Sequence, residues 1–278
     1  YHKNGQKYWL HLEIQPIRDA SGQISNFMAL ERDITERVRT EYRRRLQYKV
    51  SQALTDSPTI AVGMAQCLQA IAKVLGWPGA VFWSPQEGQR LRAESAWFAT
   101  DRDYSLLRTT LEPFSPQLGE CLPGRVWEQG QPTWVTLASE VPDDPWHEAA
   151  RTLGIKAACA FPCKVGDKSF GIIELLSSQT EEPDQDLIQL FSSLGTQMGQ
   201  FIERKLAEAE IEQQRDFALQ VMNAMGQGLT VSDEKGVFTF ANAAYARLVG
   251  CQPEQLIGRK PHDFAFDEDI PKLEEAAK

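Results

Sequence analysis

His147 and Glu148 come nearest to a catalytic motif in this chain. Zinc proteases place two histidines four residues apart on one helix, so that both bind the metal while the glutamate beside the first acts as general base. Arg151 stands where the second histidine would be, and the other histidines (His2, His11 and His262) are isolated. The pattern therefore predicts no metal site at these residues.

The five cysteines support neither a redox centre nor a disulfide framework. They are odd in number, scattered and free of any C-x-x-C pair: Cys67, Cys121, Cys159, Cys163 and Cys251. If residues 156–164 form a strand, Cys159 and Cys163 lie on one face about 13 Å apart, beyond the reach of a disulfide. Reduced, buried thiols in a cytoplasmic protein are the better interpretation. Because a glycine-rich phosphate loop is also lacking, the sequence predicts that this chain is not an enzyme.

Composition argues against two classes of partner. The 278 residues carry a net charge of -9, which disfavours a nucleic acid. Arginines between residues 37 and 49 could bind phosphate, but the interleaved Glu36 and Glu41 favour a solvated helix face. Apolar stretches are broken by charged residues, so none reaches the roughly 20 residues of a membrane helix.

The first elements that the pattern predicts are two strands and a helix. Apolar residues alternate from Tyr8 to Ile14, which is typical of a half-buried strand. A turn over residues 18–22 and a second strand over 24–32 complete an antiparallel pair. Asp33 then predicts the N-cap of a long helix, with Glu36 at the capping-box position.

A compact α+β domain follows, and a second long helix comes after it. The pattern predicts helices over 59–75, 123–129 and 144–153, and strands over 80–84, 90–98, 133–136, 155–165 and 169–176. Pro183 opens a helix of around forty residues, in which Leu187, Leu194 and Phe201 repeat every seven residues like a coiled-coil seam. We expect its portion from Lys205 to Arg215 to project or to pair with another chain. A hairpin and a short helix follow residues 226–228.

Three stretches resemble known sensor families. Residues 8–22 with Asp33-Ile34-Thr35-Glu36-Arg37 resemble the C-terminal half of a PAS domain and its D-I-T junction. The resemblance to a GAF domain rests on three stretches: Leu122-Pro123-Gly124-Arg125-Val126-Trp127, residues 154–162 and Gly171-Ile172-Ile173-Glu174. Residues 228–236, Phe240-Ala241-Asn242 and residues 254–259 are similar to the N-terminal half of a second PAS domain.

The resemblance implies an α+β fold in five segments. These are the end of a PAS domain (1–38), a linker helix (39–57), a GAF domain with an antiparallel sheet and flanking helices (58–182), its C-terminal helix and coiled-coil linker (183–225), and the start of a second PAS domain (226–278). Since the chain opens at Tyr1 inside a hairpin, we expect a piece of a longer protein. The two PAS pieces could dock into one hybrid sheet or remain separate.

The same resemblance implies a function. This domain order is similar to the input region of a bacterial, cyanobacterial-type multi-sensor histidine kinase, so the chain would relay signals without catalysis of its own. In the PAS family the Asp and Thr of the junction couple the last strand to the output helix, which assigns that role to Asp33 and Thr35. The implied partners are a second copy, bound through helices 39–57 and 183–225, and kinase domains of the parent protein.

A ligand pocket in the GAF-like domain is a further hypothesis. Six of the seven tryptophans lie there, and they could line a pocket or simply fill the core. The candidates for a pocket are Phe82, Trp97, Trp127, Trp146, His147 and Phe161. Bilin-binding GAF domains attach the chromophore through a Cys directly before a His, whereas Trp146 precedes His147. No cofactor is therefore expected, and the alternatives are a small-molecule or non-covalent chromophore sensor and, more distantly, a GAF-fold redox enzyme.

Overall fold

The computed structural model describes residues 8–139, 144–180 and 185–264. The chain divides into two units, residues 1–205 and residues 206–278. Pro183, which the sequence predicts as the first residue of the long helix, lies outside the described residues.

The hairpin of the first unit confirms both predicted strands but not their half-burial. β1 (Leu10–Arg18) pairs antiparallel with β2 (Ile24–Asp33). The carboxylate of Asp19 closes the turn by accepting hydrogen bonds from the backbone N–H groups of Ser21 and Gln23. Every residue of both strands is exposed. Among the described residues, therefore, this hairpin has no buried face.

The first helix begins differently from the prediction. α1 (Thr35–Thr55) has Ile34 at its N-cap, and that position makes no side-chain capping bond. Asp33 belongs to β2, and its Oδ1 accepts a hydrogen bond from the Thr35 amide at 2.8 Å. Glu36 lies 3.5 Å from Arg43 rather than reaching back to the cap. The predicted capping box is wrong, because Asp33 satisfies a first-turn amide from one residue outside the cap.

A five-stranded antiparallel sheet carries the core of the first unit. Its strand order is β4-β3-β7-β6-β5, with β3 at Gly79–Gln86, β4 at Arg90–Phe98, β5 at Thr133–Thr136, β6 at Ala157–Val165 and β7 at Lys168–Ser177. One face packs against residues of α1, α2 (Ile60–Leu75) and α6 (Gln185–Ala224). The other face packs against α3 (Ser105–Leu111), α4 (Cys121–Gln129) and α5 (Pro145–Thr152). Side chains alternate between the faces along each strand, so the sheet separates two cores.

The seven-residue repeat of α6 faces the sheet rather than a partner. Leu194 and Phe201 are buried in the core that α6 shares with α1 and α2, and Leu187 packs against it partly buried. These three positions of the predicted apolar stripe therefore belong to the core of the first unit. An amphipathic helix on a sheet and a coiled coil use similar spacings, which is why the sequence did not distinguish them.

Two glycines bring α6 against the backbone of β6. A Cβ atom at Gly195 would clash with the Pro162 carbonyl oxygen, and one at Gly199 would lie 2.7 Å from the Lys164 nitrogen. The spacing of four residues places both glycines on one side of the helix. The α6 axis thus lies closer to the sheet than a larger residue would allow.

The second unit has a small core of its own. β8 (Thr230–Ser232) and β9 (Phe238–Ala241) form an antiparallel hairpin, followed by α7 (Ala243–Val249), α8 (Pro253–Leu256) and a 3-10 turn at Pro261–Phe264. Phe238, Ala241, Ala246 and Leu256 form its buried apolar cluster. Of the helices in the described ranges, none combines the length and apolar character needed to cross a bilayer.

Replacing Gly195 with alanine should destabilise the first unit by about 1–3 kcal/mol, because the added methyl group has to displace α6 from the Pro162 carbonyl. Urea unfolding followed by circular dichroism would measure the loss. Ser193→Ala is the matched control, since it adds no atoms at an exposed position of the same helix. Equal stability of the two variants would contradict the close contact.

Candidate functional site

The beginning of α5 carries the most unusual chemistry of the chain. Asp144 is the N-cap, and its Oδ1 accepts a hydrogen bond from the His147 amide at 2.9 Å. Pro145 at the first helical position needs no hydrogen-bond acceptor, which favours a helix start here. This local geometry directs Trp146 and His147 into the core, where both are 0% exposed.

The imidazole of His147 lies between two carboxylates. Its Nδ1 is 2.6 Å from Oδ2 of Asp144, and its Nε2 is 2.8 Å from Oε1 of Glu174 in β7. Glu174 is fully buried, and Asp144 is 8% exposed. An ion triad therefore runs from the edge of the domain to its central sheet.

Both ring nitrogens face acceptors, which decides the protonation state. A neutral imidazole has one N–H donor, whereas the charged form has two. Burial alone would lower the pKa of His147, but the carboxylates of Glu174 and Asp144 outweigh it and raise that pKa from 6.5 to about 9. Although burial would raise the pKa of Asp144, its hydrogen bond with His147 prevails and lowers that pKa. At neutral pH the triad holds an imidazolium.

The remaining oxygen of Glu174 is bound by two indoles. Trp83 donates its Nε1–H to Oε2 at 2.9 Å, and Trp146 donates its own to the same oxygen at 3.0 Å. The two rings meet edge to face, with centroids 6.1 Å apart. Every oxygen of this buried carboxylate thus has a partner, which is what allows a charge to remain in the core.

Cys121 lies at the rim of the triad. It begins α4 with a φ of 52°, in the left-handed region that non-glycine residues rarely adopt. Burial and the neighbouring Asp144 carboxylate raise the pKa of its thiol. A protonated thiol is a poor nucleophile and a poor metal ligand. Within the described residues, no group of three or more histidine, cysteine or acidic side chains could hold a metal ion.

The structure does not bring the six predicted pocket residues together. Three of them belong to the core beneath α2 and α6: Phe82, Trp97 and Phe161. On the opposite face of the sheet, Trp146 and Trp127 belong to the other core, and His147 lies there in the triad. A surface cleft of about 250 Å³ includes only Trp97 of this set, together with Trp77, Lys73 and Arg102.

The predicted junction residues both make defined contacts. The Trp9 amide donates to Oγ1 of Thr35 at 2.9 Å, and the Ile34 amide donates to the Trp9 carbonyl at 2.9 Å. Asp33 accepts from the Thr35 amide, as described above. The start of α1 is therefore hydrogen-bonded to Asp33, the last residue of β2, and to Trp9, which directly precedes β1.

Sequence reasoning missed Glu174 and Asn242 as individual residues. The signal for Glu174 was a lone carboxylate within the apolar run Gly171–Leu176, where burial requires a partner. Asn242 is fully buried at the N-cap of α7 and accepts from the amides of Leu229 and Tyr245. It donates to the carbonyls of Met222 and Gln227. One amide thus joins the end of α6 to β8 and α7.

Three family models match this chain, one in its middle and one at each end. The model of the GAF domain matches residues 61–203, just over half of the chain. A PAS domain model matches residues 1–36, and a PAS fold model matches residues 222–278. No match was found among curated proteins.

Solved structures resemble the first unit at low sequence identity. The GAF domain of a phosphoenolpyruvate-protein phosphotransferase from Coxiella burnetii is 12% identical, with a TM-score of 0.50 over 61% of this chain and 98% of that one. Free methionine-R-sulfoxide reductase from Neisseria meningitidis, in complex with its substrate, is 14% identical, with a TM-score of 0.49 over 60% and 91%. A phycocyanobilin-bound GAF domain from a cyanobacterial phytochrome is 14% identical, with a TM-score of 0.46 over 61% and 96%. The Coxiella structure supports the fold and says nothing about a ligand.

The ion triad makes the stability of the first unit dependent on pH. Folding raises the pKa of His147 from 6.5 to about 9. The stability that protonated His147 adds to the folded state is therefore complete below pH 6.5 and is lost as the pH rises through about 9. Urea unfolding between pH 6 and pH 10 should therefore show falling stability over this window.

His147→Ala supplies the comparison for that profile. At pH 7 this substitution should lower the free energy of unfolding by about 3–5 kcal/mol, because two buried carboxylates lose their counter-ion. Between pH 6.5 and pH 9 the stability of the variant should change far less than that of the wild type. The exposed His11→Ala is the control and should keep the wild-type profile. A wild-type profile that stays flat over this range would show that His147 is not held as an imidazolium.

Proposed function

Because the chain belongs to the GAF domain family, we propose that it is the sensory and signal-relay region of a two-component histidine kinase of the cyanobacterial type. In this proposal the chain is not an enzyme. It passes a change in helix position from the N-terminal PAS segment, past the GAF domain, to the second PAS segment. The signal junction consists of Asp33 and Thr35.

The observation that carries the proposal is the side-by-side packing of α1 and α6. Arg43 of α1 lies 3.3 Å from Asp186 of α6. Further along both helices, Gln197 donates a hydrogen bond to the Ser51 hydroxyl at 2.6 Å. Residue numbers rise in the same direction on both helices, so α1 and α6 run parallel. A displacement of α1 along its axis would act directly on α6.

The apolar core strengthens this connection. Leu46 and Val50 of α1 are fully buried in the same cluster as Leu194 and Met198 of α6. Close-packed side chains transmit displacement because their interfaces have few intermediate arrangements. The entry helix and the exit helix thus form one layer on the sheet.

The GAF sheet can also act on this layer. Glu174, which binds His147, alternates along β7 with Ile173 and Leu175, whose side chains lie in the core shared with α6. A change in the triad would move β7 and so reach α6 from the opposite face of the sheet. The signal from the hairpin and any signal from the α5 side would converge on α6.

The proposal includes a homodimer formed through helices 39–57 and 183–225. Two copies would place their exit helices side by side, as output through paired kinase domains requires. Light scattering at micromolar concentration should give a mass above that of one chain. A strictly monomeric mass would contradict this part of the proposal.

The second candidate function is a sensor of a small molecule or of a non-covalent chromophore, which the GAF family makes reasonable. The contacts of Trp146 and His147 favour the relay, since both side chains fill the core beside the sheet and their polar atoms already bind Glu174 and Asp144. The redox-enzyme alternative has less support, because burial raises the pKa of the thiols of Cys121, Cys159 and Cys163.

The relay predicts that a change at the junction alters the hydrogen exchange of α6. Thr35→Val removes the hydroxyl that accepts the Trp9 amide, so hydrogen exchange should quicken several-fold at the start of α1 and also within residues 186–205. Thr40→Val, the same substitution five residues further along α1, is the control and should leave hydrogen exchange in α6 unchanged. If Thr35→Val alters exchange only in the hairpin and the first turn of α1, the relay is refuted.

A bilin test checks whether the chain carries a covalent chromophore. Chain produced together with the enzymes of bilin synthesis should show no visible absorbance band that survives denaturation, because Trp146 occupies the position of the attaching cysteine. A bilin-binding GAF domain treated in the same way serves as the positive control. A band that survives in this chain would overturn the expectation of no covalent cofactor.

A further inference from the structure

The distal part of α6 has no burial to support it. Within the second unit, every residue from Leu206 to Val221 is exposed. The exposed apolar side chains include Ile211 at 68%, Phe217 at 67% and Val221 at 47%. A solvated helix of about this length is marginally stable in water, because packing of an apolar face provides most helix stability. A partner that covers this face would stabilise it.

The apolar positions in this distal part of α6 also follow a heptad spacing, but they lie on a different side of the helix from Leu187, Leu194 and Phe201. Steps of four, three, four, three and four residues connect Ala207, Ile211, Gln214, Ala218, Val221 and Met225. In heptad terms, Ile211, Ala218 and Met225 are a positions, while Ala207, Gln214 and Val221 are d positions. Phe217 and Met222 fall at the flanking g and e positions and widen the apolar strip. The seam is apolar except at Gln214.

We propose that residues 207–225 pair with the same residues of a second copy as a parallel, in-register, two-stranded coiled coil. This inference rests on the proposed function, because it specifies where the proposed dimer is joined. The occupant of the exposed face is the chain itself, since a seam of this width fits an identical helix. The proximal half of α6 is excluded from the seam, because its apolar residues are buried on the GAF sheet.

Charge supports the parallel, in-register arrangement. In such a pair each g residue faces the e residue five positions later on the other helix. Glu210 at g then faces Arg215 at e of the second copy, and the symmetry of the dimer gives this attractive pair twice. Arg215 contacts Glu212 and Asp216 on the surface in the single chain, at 64% side-chain exposure, so changing partner costs little.

Three further residues define the register of the seam and its N-terminal end. Gln214 would meet Gln214 of the second copy, and a polar pair at one core position fixes register at some cost in stability. Glu203 and Glu208 would face each other with like charge between the copies. Pairing is therefore strongest from Ile211 onward, beyond the end of the GAF unit.

Cysteine cross-linking tests this seam with a matched pair of variants. Ala207→Cys places a thiol at a d position, and Ala209→Cys places one at the outward f position two residues away. Both are made in the full chain with Cys121 and Cys251, the incompletely buried cysteines, replaced by serine. Under mild oxidation Ala207→Cys should form disulfide-linked dimer at least tenfold faster. Equal rates, or faster linkage of Ala209→Cys, would overturn the seam.

Charge reversal provides a second, independent measurement. Glu210→Arg should weaken dimerisation severalfold by placing like charges together, and Glu210→Arg combined with Arg215→Glu should restore it. Sedimentation equilibrium gives both dissociation constants. One outcome is a wild-type dimer in which Ala207→Cys links no faster than Ala209→Cys and the double charge variant does not recover dimerisation. That result refutes the seam and leaves the proposed dimer intact. A wild-type chain that stays monomeric refutes both.

Discussion

The close approach of α6 to β6 is the constraint on which the first unit depends. Gly195 and Gly199 let the helix backbone meet the backbone of residues 162–164, where a methyl group would collide. Once α6 lies at this distance, Leu194 and Met198 reach the core, and α1 can pack beside α6 through Ser51 and Gln197. The proposed relay follows from this layer, because the entry and exit helices share one surface of the sheet.

The opposite face of the sheet is organised by charge instead. His147, Asp144 and Glu174 place three ionisable groups where apolar side chains of equal volume could be as stable or more so. Their arrangement fixes the position of α5 on β7, because each ring nitrogen has one well-placed carboxylate partner and the second Glu174 oxygen is bound by two indoles. Such a network gives specificity to the packing and makes it sensitive to any loss of charge.

Much of this architecture could be predicted from the sequence, and the failures have physical reasons. The alternation of residues 8–14 and the D-I-T motif predicted the hairpin and its junction. The pocket residues were assigned without knowing which face each strand residue occupies, and adjacent residues such as Phe82 and Trp83 point to opposite cores. Spacing alone did not tell whether Leu194 and Phe201 face a sheet or a partner. The role of Glu174 depends on β7 lying beside α5, and that contact between distant parts of the chain has no local signal.

The most direct test of the central claim is the distance between α1 and α6. Spin labels at the exposed Lys49 and Gln200, in chains diluted with unlabelled protein, would report it by double electron–electron resonance. If the two helices form one layer, wild type and Thr35→Val should each give a single narrow distance distribution. A broad or two-peaked distribution in either protein would contradict the relay, because α1 and α6 would then move independently.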